Sequence, residues 1–367
     1  MRNKAVTRQT YAVILAGGRG ERFWPLSTSK HPKQVLRIVS DKPLLAMAVD
    51  YLKGLIPPRR IFVITSADLA SVIARAVPSL PRGNIIGEPF GRDTAAAVAL
   101  GCALVQAREP NGVFCVLTAD HVMGDLPAFR RTLSESFALA AARDVLITIG
   151  MQPTYPATGF GYIESGERLD TGGAIEFRSA RRFVEKPNHE KAAEYVASGR
   201  FFWNAGMFIW SVASLRKALG AHAPALLGMA DRMLPAVGKK TFGRRLAAEY
   251  GKLEKISVDY ALMEKARNIV MARGTFPWDD VGSWRSLENH FAADPDGNVK
   301  VGRCEALDAR GNIVFSRDRL TALIGVENLV VVQADGATLV CPKDRVQDVK
   351  QLVKRLEANK ALYRELL

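Results

Sequence analysis

The apolar positions of residues 1–150 alternate between two textures. Compact runs at Tyr11–Ala16, Ile61–Thr65, Ile85–Ile86, Val113–Thr118 and Val145–Ile149 read as strands. Between them, Pro43–Leu55, Leu69–Val77, Thr94–Ala107 and Ala128–Ala142 carry helical periodicity. Strands separated by helices predict βαβ units on a parallel sheet. From Pro153 to about Val281 the pattern is mixed, with strand candidates at Gly161–Glu164, Arg178–Val184, Gly206–Trp210 and Asn268–Ala272. This stretch reads as a continuation of the same sheet that carries the substrate half of a cleft. After His290 the texture changes. Asp294-Pro295-Asp296-Gly297 is a turn-rich joint. Short β segments follow at Ile313–Phe315, Thr321–Ile324, Leu329–Gln333 and Thr338–Val340. Their spacing of roughly 8–10 residues suits hairpins or a partial β-helix. Asp344–Leu356 then forms an amphipathic helix with Val346, Val349, Leu352, Val353 and Leu356 on one face, a stripe that predicts packing. The expected fold class is α/β with a mostly parallel, mixed sheet over residues 1–290. A small C-terminal β domain ending in a helix occupies residues 291–367.

Composition narrows the class. The 367 residues are 48% hydrophobic and 24% charged, ordinary globular values. No apolar run reaches the roughly 18 residues of a membrane span. Met1–Thr10 is basic and polar with no apolar segment, so no signal peptide is expected. Cys102, Cys115, Cys304 and Cys341 show no CxxC spacing, and Cys102 and Cys115 sit in apolar runs, which predicts core thiols in a reducing cytoplasm. Lys and Arg number 51 against 37 Asp and Glu, a net charge of +14 that favours anionic partners. The basic residues are spread along the chain, and no nucleic-acid motif accompanies them. Phosphorylated small molecules are the better match; neither a nucleic-acid nor a membrane partner is expected.

The sharpest chemical signal is Leu15-Ala16-Gly17-Gly18-Arg19-Gly20-Glu21-Arg22-Phe23-Trp24-Pro25-Leu26, followed by Pro32-Lys33-Gln34. Glycines let backbone N–H groups converge on an anion, and Arg22 and Lys33 add fixed positive charge beside them. Together they describe a triphosphate site. It is neither a Walker A loop, since no Gly-Lys follows, nor a dinucleotide fingerprint, since Phe23 stands where Gly or Ala is needed.

Further motifs follow a strand end or a turn. In Glu88-Pro89-Phe90-Gly91-Arg92-Asp93-Thr94, the Glu88 carboxylate can accept from N1–H and the 2-amino group of guanine, donors that adenine lacks. Asp93 and Thr94 can equally be helix N-caps. Asp120 lies just past a strand end, where open α/β sheets bind ligands, and a hard carboxylate there suits Mg²⁺. His121 reads as a surface residue with no metal role. Three segments suit a sugar phosphate: Gly161 within Thr158–Ile163, Glu185 and Lys186 in Phe183–Pro187, and Asn204 in Trp203–Phe208. Each alone is an ordinary structural feature. Ser257–Glu264 reads as wall and helix start.

These motifs in this order resemble sugar-nucleotide pyrophosphorylases, and within them the mannose-1-phosphate guanylyltransferases of the short form without a fused isomerase domain. The similarity runs from Tyr11 to the final helix. It implies a Rossmann-like nucleotidyltransferase domain with a C-terminal partial β-helix. By resemblance, Leu15, Ala16, Gly17, Gly18, Gly20, Glu88 and Thr94 bind the nucleotide, and Arg22 and Lys33 act at the reacting phosphates. Gly161, Glu185, Lys186 and Asn204 bind the sugar phosphate. The motif Trp278-Asp279-Asp280-Val281-Gly282-Ser283-Trp284 supplies Asp280 as a metal ligand beside Asp120, with Mg²⁺ as cofactor. The family segment usually reads EPxxRNTAPA; here Asp93 replaces Asn and Ala96 replaces Pro, which leaves the base contacts open. Arg19 also departs from the small residue often found there. The implied reaction is transfer of GMP from GTP to α-D-mannose 1-phosphate in the cytoplasm, by a homodimer. The alternatives are a sister enzyme with another sugar or base, and a non-catalytic subunit that binds GDP-mannose.

Overall fold

The computed structural model describes residues 9–366. Most of the basic stretch Met1–Thr10 therefore lies outside the described residues. These residues group into two compact units that do not follow one cut in the chain. The first runs to Gly17 and continues with Ala48–Ala119 and Met123–Trp278; the second comprises Gly18–Met47, Asp120–Val122 and the chain from Asp279 onward.

The strands are β1 (Thr10–Leu15), β2 (Ile61–Ser66), β3 (Ile85–Glu88), β4 (Val113–Thr118), β5 (Val122–Met123), β6 (Leu146–Met151), β7 (Tyr162–Leu169), β8 (Phe177–Val184), β9 (Phe201–Ser211), β10 (Ile269–Gly274), β11 (Trp278–Asp279), β12 (Val299–Leu307), β13 (Ile313–Ile324), β14 (Leu329–Ala334) and β15 (Ala337–Pro342). In the first unit nine of them form one sheet in the order β3-β2-β1-β4-β9-β6-β10-β8-β7. The pairs β1–β2, β2–β3, β1–β4 and β6–β10 are parallel, while β8 and β9 run against the other seven strands. The sheet is thus mixed: seven of its nine strands point the same way, but five of its nine pairings are antiparallel, so the expected mostly parallel pairing holds only for the half built on β1–β4. β1, β2 and β4 are buried nearly throughout, which is why they read as unbroken apolar runs. The helix Asp93–Arg108 is buried from Ala95 to Val105 and lies on β1, with the helices Val212–His222 and Pro224–Met233 packed against it. Truncating Leu100 in this layer to alanine costs about 2–5 kcal/mol. Cys102 and Cys115 are buried here.

In the second unit β12, β13 and β14 stack in parallel and β15 closes antiparallel on β14. Ile313 and Phe315 face a core with Phe23, Trp24, Trp284, Val330 and Val332, while Val314 faces Ala309, Leu323 and Val331. Two buried amides tie the coils. Asn298 donates to the Ala309 carbonyl at 2.8 Å, and its Oδ1 accepts from Asn312 Nδ2 at 2.9 Å. Asn312 in turn donates to the Val326 carbonyl at 3.1 Å and accepts from Leu329 N at 2.9 Å. The expected segments Ile313–Phe315 and Thr321–Ile324 are the two ends of one strand, β13, because exposed Arg317–Leu320 hides their continuity. The expected amphipathic helix is an α-helix over Val349–Ala358 preceded by a 3₁₀ turn, and short helical turns at Lys360–Tyr363 and Arg364–Leu366 follow it. Of its stripe, Val346, Val349 and Val353 are buried in the core with Phe23 and Trp24, whereas Leu352 is exposed. No helix among the described residues is long and apolar enough to cross a membrane.

Candidate active site

β1 delivers the chain to the glycine loop. Leu15 closes the strand, and its carbonyl accepts from Ala119 N at 3.0 Å. Ala16 is buried, donating to the Ile64 carbonyl at 2.8 Å and accepting from Thr65 Oγ1 at 2.9 Å. Gly17 and Gly18 are exposed. Gly20 has φ +64°, and a Cβ there would fall onto Lys33 Cβ and 2.9 Å from Ser27 Oγ, so a glycine is required. The loop is held from below by Gln34 Nε2 on the Gly18 carbonyl at 3.2 Å and Ser27 Oγ on the Arg19 carbonyl at 2.7 Å.

Within the second unit Lys33 is the centre of a charged cluster. It is buried, and its Nζ donates to Asp120 Oδ2 at 2.7 Å and to the main-chain oxygen of Asp280 at 3.2 Å. The ammonium also lies 5.3 Å from the Phe23 ring centre. Burial works to raise the Asp120 carboxyl, but the Lys33 charge and hydrogen bond, with His121 and the main chain, together outweigh it and hold the group below its ordinary value. Burial pushes Asp280 up to about 6; Asp279 and Asp120 add to this, and Lys33 and Arg22 oppose it. Arg22 is exposed beside the cluster. The turn that presents Asp280 is strained. Val281 is β-branched, fully buried, and held at φ +45°, with its N–H donating to Asp279 Oδ1 at 2.6 Å. Trp284 anchors the turn through an edge contact with Phe23 and a bond to the Trp24 carbonyl at 3.1 Å. His121 is half-buried rather than a surface residue, and burial pushes it down to about 4. Arg19 pairs with Glu357 of the helix Val349–Ala358 at 2.7 Å.

The Asp120 and Asp280 carboxyls beside the Lys33 ammonium, with Asp280 raised chiefly by burial, form a hard-oxygen donor set. That chemistry fits Mg²⁺ better than zinc. Among the described residues no group of three or more His, Cys, Asp or Glu could hold a metal by itself. Substrate oxygens and water would have to complete the set.

The remaining expected residues lie in the first unit. Thr94, Glu185 and Lys186 line one cavity of about 570 Å³ together with Asp93, Lys255, Ser257, Asp259 and Tyr260. Thr94 Oγ1 accepts from Val258 N at 2.9 Å, which fixes that wall. Asp93 and Lys186 both take positive φ, +64° and +48°. Lys186 forms an ion pair with Glu185. Burial alone would lower the ammonium, but the Glu185 carboxylate outweighs it and holds it above its ordinary value. A Cβ on Gly161 would sit 2.5 Å from Glu185 Oε2. Asn204 accepts from Thr148 Oγ1 at 2.8 Å and donates to Asp259 Oδ1 at 3.0 Å. Glu88, Gly161 and Asn204 do not line the cavity. Glu88 accepts from Tyr250 Oη at 3.0 Å, and burial pushes it up to about 7 against that bond.

Sequence reasoning passed over Asp259 and Tyr250. Asp259 opens a π-helical turn, Asp259–Met263, a geometry frequent at functional sites. Burial, with Glu185 beside it, pushes Asp259 up to about 6. Ser257–Glu264 is thus part of the cavity as well as wall. Tyr250 ends a helix with no motif, and nothing in the sequence flags it.

Known proteins are similar to this chain. A mannose-1-phosphate guanylyltransferase of Salmonella muenchen is 36% identical over 95% of this chain and 73% of its own length. One of Escherichia coli strain K12 is 36% identical over 95% of this chain and 74% of its own. A crystal structure from Thermus thermophilus, described as a mannose-1-phosphate geranyltransferase, superposes with a TM-score of 0.85 at 38% identity, covering 95% of this chain and 99% of that one. A MannoseP isomerase/GMP-like beta-helix domain matches residues 302–356. The nucleotidyl transferase model matches residues 11–297, and with it the chain belongs to the nucleotidyl transferase family.

Proposed function

We propose that this enzyme transfers GMP from GTP to α-D-mannose 1-phosphate, forming GDP-mannose and releasing pyrophosphate. The observation that carries the reading is the buried Lys33 ammonium, held by Asp120 and the Asp280 carbonyl beside the glycine loop. The names of the similar proteins support the substrate pair.

A phosphate oxygen of the sugar attacks the α-phosphorus in line, and pyrophosphate leaves. The nucleophile is already anionic near neutrality, because phosphate monoesters have a second pKa of about 6. No general base is needed; the chain must align two polyanions and offset their repulsion. Leu15 and Ala16 close the strand that carries the nucleotide loop, and main-chain N–H groups at Gly17, Gly18 and Gly20 with the charges of Arg22 and Lys33 hold the nucleotide phosphates. Glu88 reads guanine, and Thr94 orders the segment beside it. Lys186, steadied by Glu185, holds the sugar phosphate, while Gly161, Glu185 and Asn204 shape the hexose site. Asp120 and Asp280 would hold Mg²⁺, which when bound neutralises phosphate charge. All four cysteines are free, in keeping with a cytoplasmic enzyme. Leu307 and Ile324, paired in register and both largely exposed, offer apolar surface for a homodimer. Turnover of four nucleoside triphosphates against several sugar 1-phosphates tests the assignment. GTP with mannose 1-phosphate should give the highest kcat/KM, and equal turnover of dTTP with glucose 1-phosphate would refute it.

A further inference from the structure

The helix Phe242–Tyr250 carries no motif, yet its last residue meets the Glu88–Thr94 segment twice. The Tyr250 side chain is fully buried, and its Oη donates to Glu88 Oε1 at 3.0 Å. The Tyr250 carbonyl accepts from Arg92 Nε at 2.9 Å, and the Gly251 carbonyl from Arg92 Nη2 at 3.3 Å. One residue therefore grips both Glu88 and Arg92. The guanidinium lies at the carbonyl end of the helix, where positive charge is favoured. The two anchors hold the three residues between Glu88 and Arg92 as a fixed bracket.

Each carboxylate oxygen accepts up to two hydrogen bonds, so a phenol on Oε1 orients Glu88 without blocking either oxygen. Side-by-side recognition of N1–H and the 2-amino group depends on that orientation, because both bonds weaken steeply with angle. We infer that Tyr250 is a positioning residue for guanine selection, acting through the Glu88 carboxylate; the inference rests on the assignment of Glu88 to the base. The hydroxyl does a second thing. It supplies a donor to a carboxylate that burial otherwise disfavours in its ionised form.

Tyr250→Phe keeps the buried ring and removes only the donor. The measurement is kcat/KM for GTP and for ITP, which retains N1–H and lacks the 2-amino group, together with KM for mannose 1-phosphate. The expected result is a rise of about tenfold in KM for GTP, the size of one hydrogen bond to a charged group. The GTP-to-ITP preference should collapse towards unity while KM for mannose 1-phosphate stays unchanged. Glu88→Gln, measured in parallel, should lose the same preference. The double variant Tyr250→Phe/Glu88→Gln, which leaves no buried carboxylate short of a donor, should match Glu88→Gln alone. A wild-type GTP-to-ITP ratio in Tyr250→Phe overturns the positioning role if Glu88→Gln lowers that ratio. If Glu88→Gln is silent as well, the assignment of Glu88 to the base falls with it. Equal weakening of both substrates in Tyr250→Phe, with a lowered melting temperature, would mark Tyr250 as a packing residue only and also overturn the inference.

Discussion

Replacing Lys33 by alanine removes an ammonium that donates to Asp120 Oδ2 at 2.7 Å and to the Asp280 carbonyl at 3.2 Å. The Lys33 side chain is 8% exposed and that of Asp120 26%. Breaking a fully buried pair costs about 3–5 kcal/mol. Water reaches part of Asp120, so a loss of about 2 kcal/mol in stability is expected, on the reasoning that exposure screens charge. Catalysis should suffer separately, by on the order of 10²-fold in kcat or about 2.7 kcal/mol, since the cation is preorganised for the reacting phosphates. The two losses differ in pH dependence. In the wild type the Asp120 carboxyl lies below its ordinary 3.8. Its stabilising contribution is full above that value and is lost as pH falls through the depressed one. Without Lys33, burial dominates and the carboxyl rises above 3.8, so the variant loses stability as pH climbs past it. The stability gap should be small near pH 4 and widest near pH 8, in thermal unfolding of both proteins. Adding Asp120→Asn should recover most of the stability and none of the turnover. Wild-type turnover in Lys33→Ala, or a stability gap of the same size at both pH values, would refute the reasoning.

Glu88 predicts a pH effect on nucleotide binding. Its carboxyl titrates at about 7 and must be ionised to accept two guanine donors, so KM for GTP should fall as pH rises through 7 and stay flat in Glu88→Gln; a flat wild-type profile would count against it. Asp120→Asn and Asp280→Asn should fold, lose most activity and need more Mg²⁺, with the double variant little worse than either. Unchanged Mg²⁺ dependence in both single variants would leave these residues as turn caps. Asn312→Ala removes three hydrogen bonds and leaves the Leu329 N–H without its acceptor, which should cost about 3 kcal/mol of stability while kcat per folded molecule is unchanged. A melting temperature equal to wild type would show the amide to be dispensable.

What the sequence revealed followed from burial on both faces or from local chemistry. β1, β2 and β4 are short apolar runs because both of their faces are covered. The glycine loop was legible because Gly20 answers a local demand, a positive φ with Lys33 pressed against it. β12 stayed hidden because most of its residues from Gly302 to Leu307 meet solvent and break the apolar pattern. The pairing of Lys33 with Asp120, 87 residues apart, and of Trp284 with the Trp24 carbonyl, 260 apart, depends on tertiary folding that no local period encodes. Asp259 was obscured because a π-turn shifts side chains off the helical period. The asparagine rungs did leave a trace. Gly297-Asn298-Val299 and Gly311-Asn312-Ile313 repeat one pattern, and Asn328-Leu329 echoes it.

Those rungs set a rule for how this part of the chain can change in length. Val299 stacks on Ile313, fourteen residues on, and Ile313 on Val330, seventeen residues on. The coils therefore differ in size while the amides of Asn298 and Asn312 stay in phase. A residue gained at a corner, for instance around Asp308, leaves that phase intact. A residue gained between Asn312 and Phe315 would exchange the two faces of β13, sending Val314 to the side of Phe23 and its neighbours outward. Insertions and deletions among related chains are thus expected to collect at the corners, and their alignment is best keyed to the asparagines rather than to a repeat length.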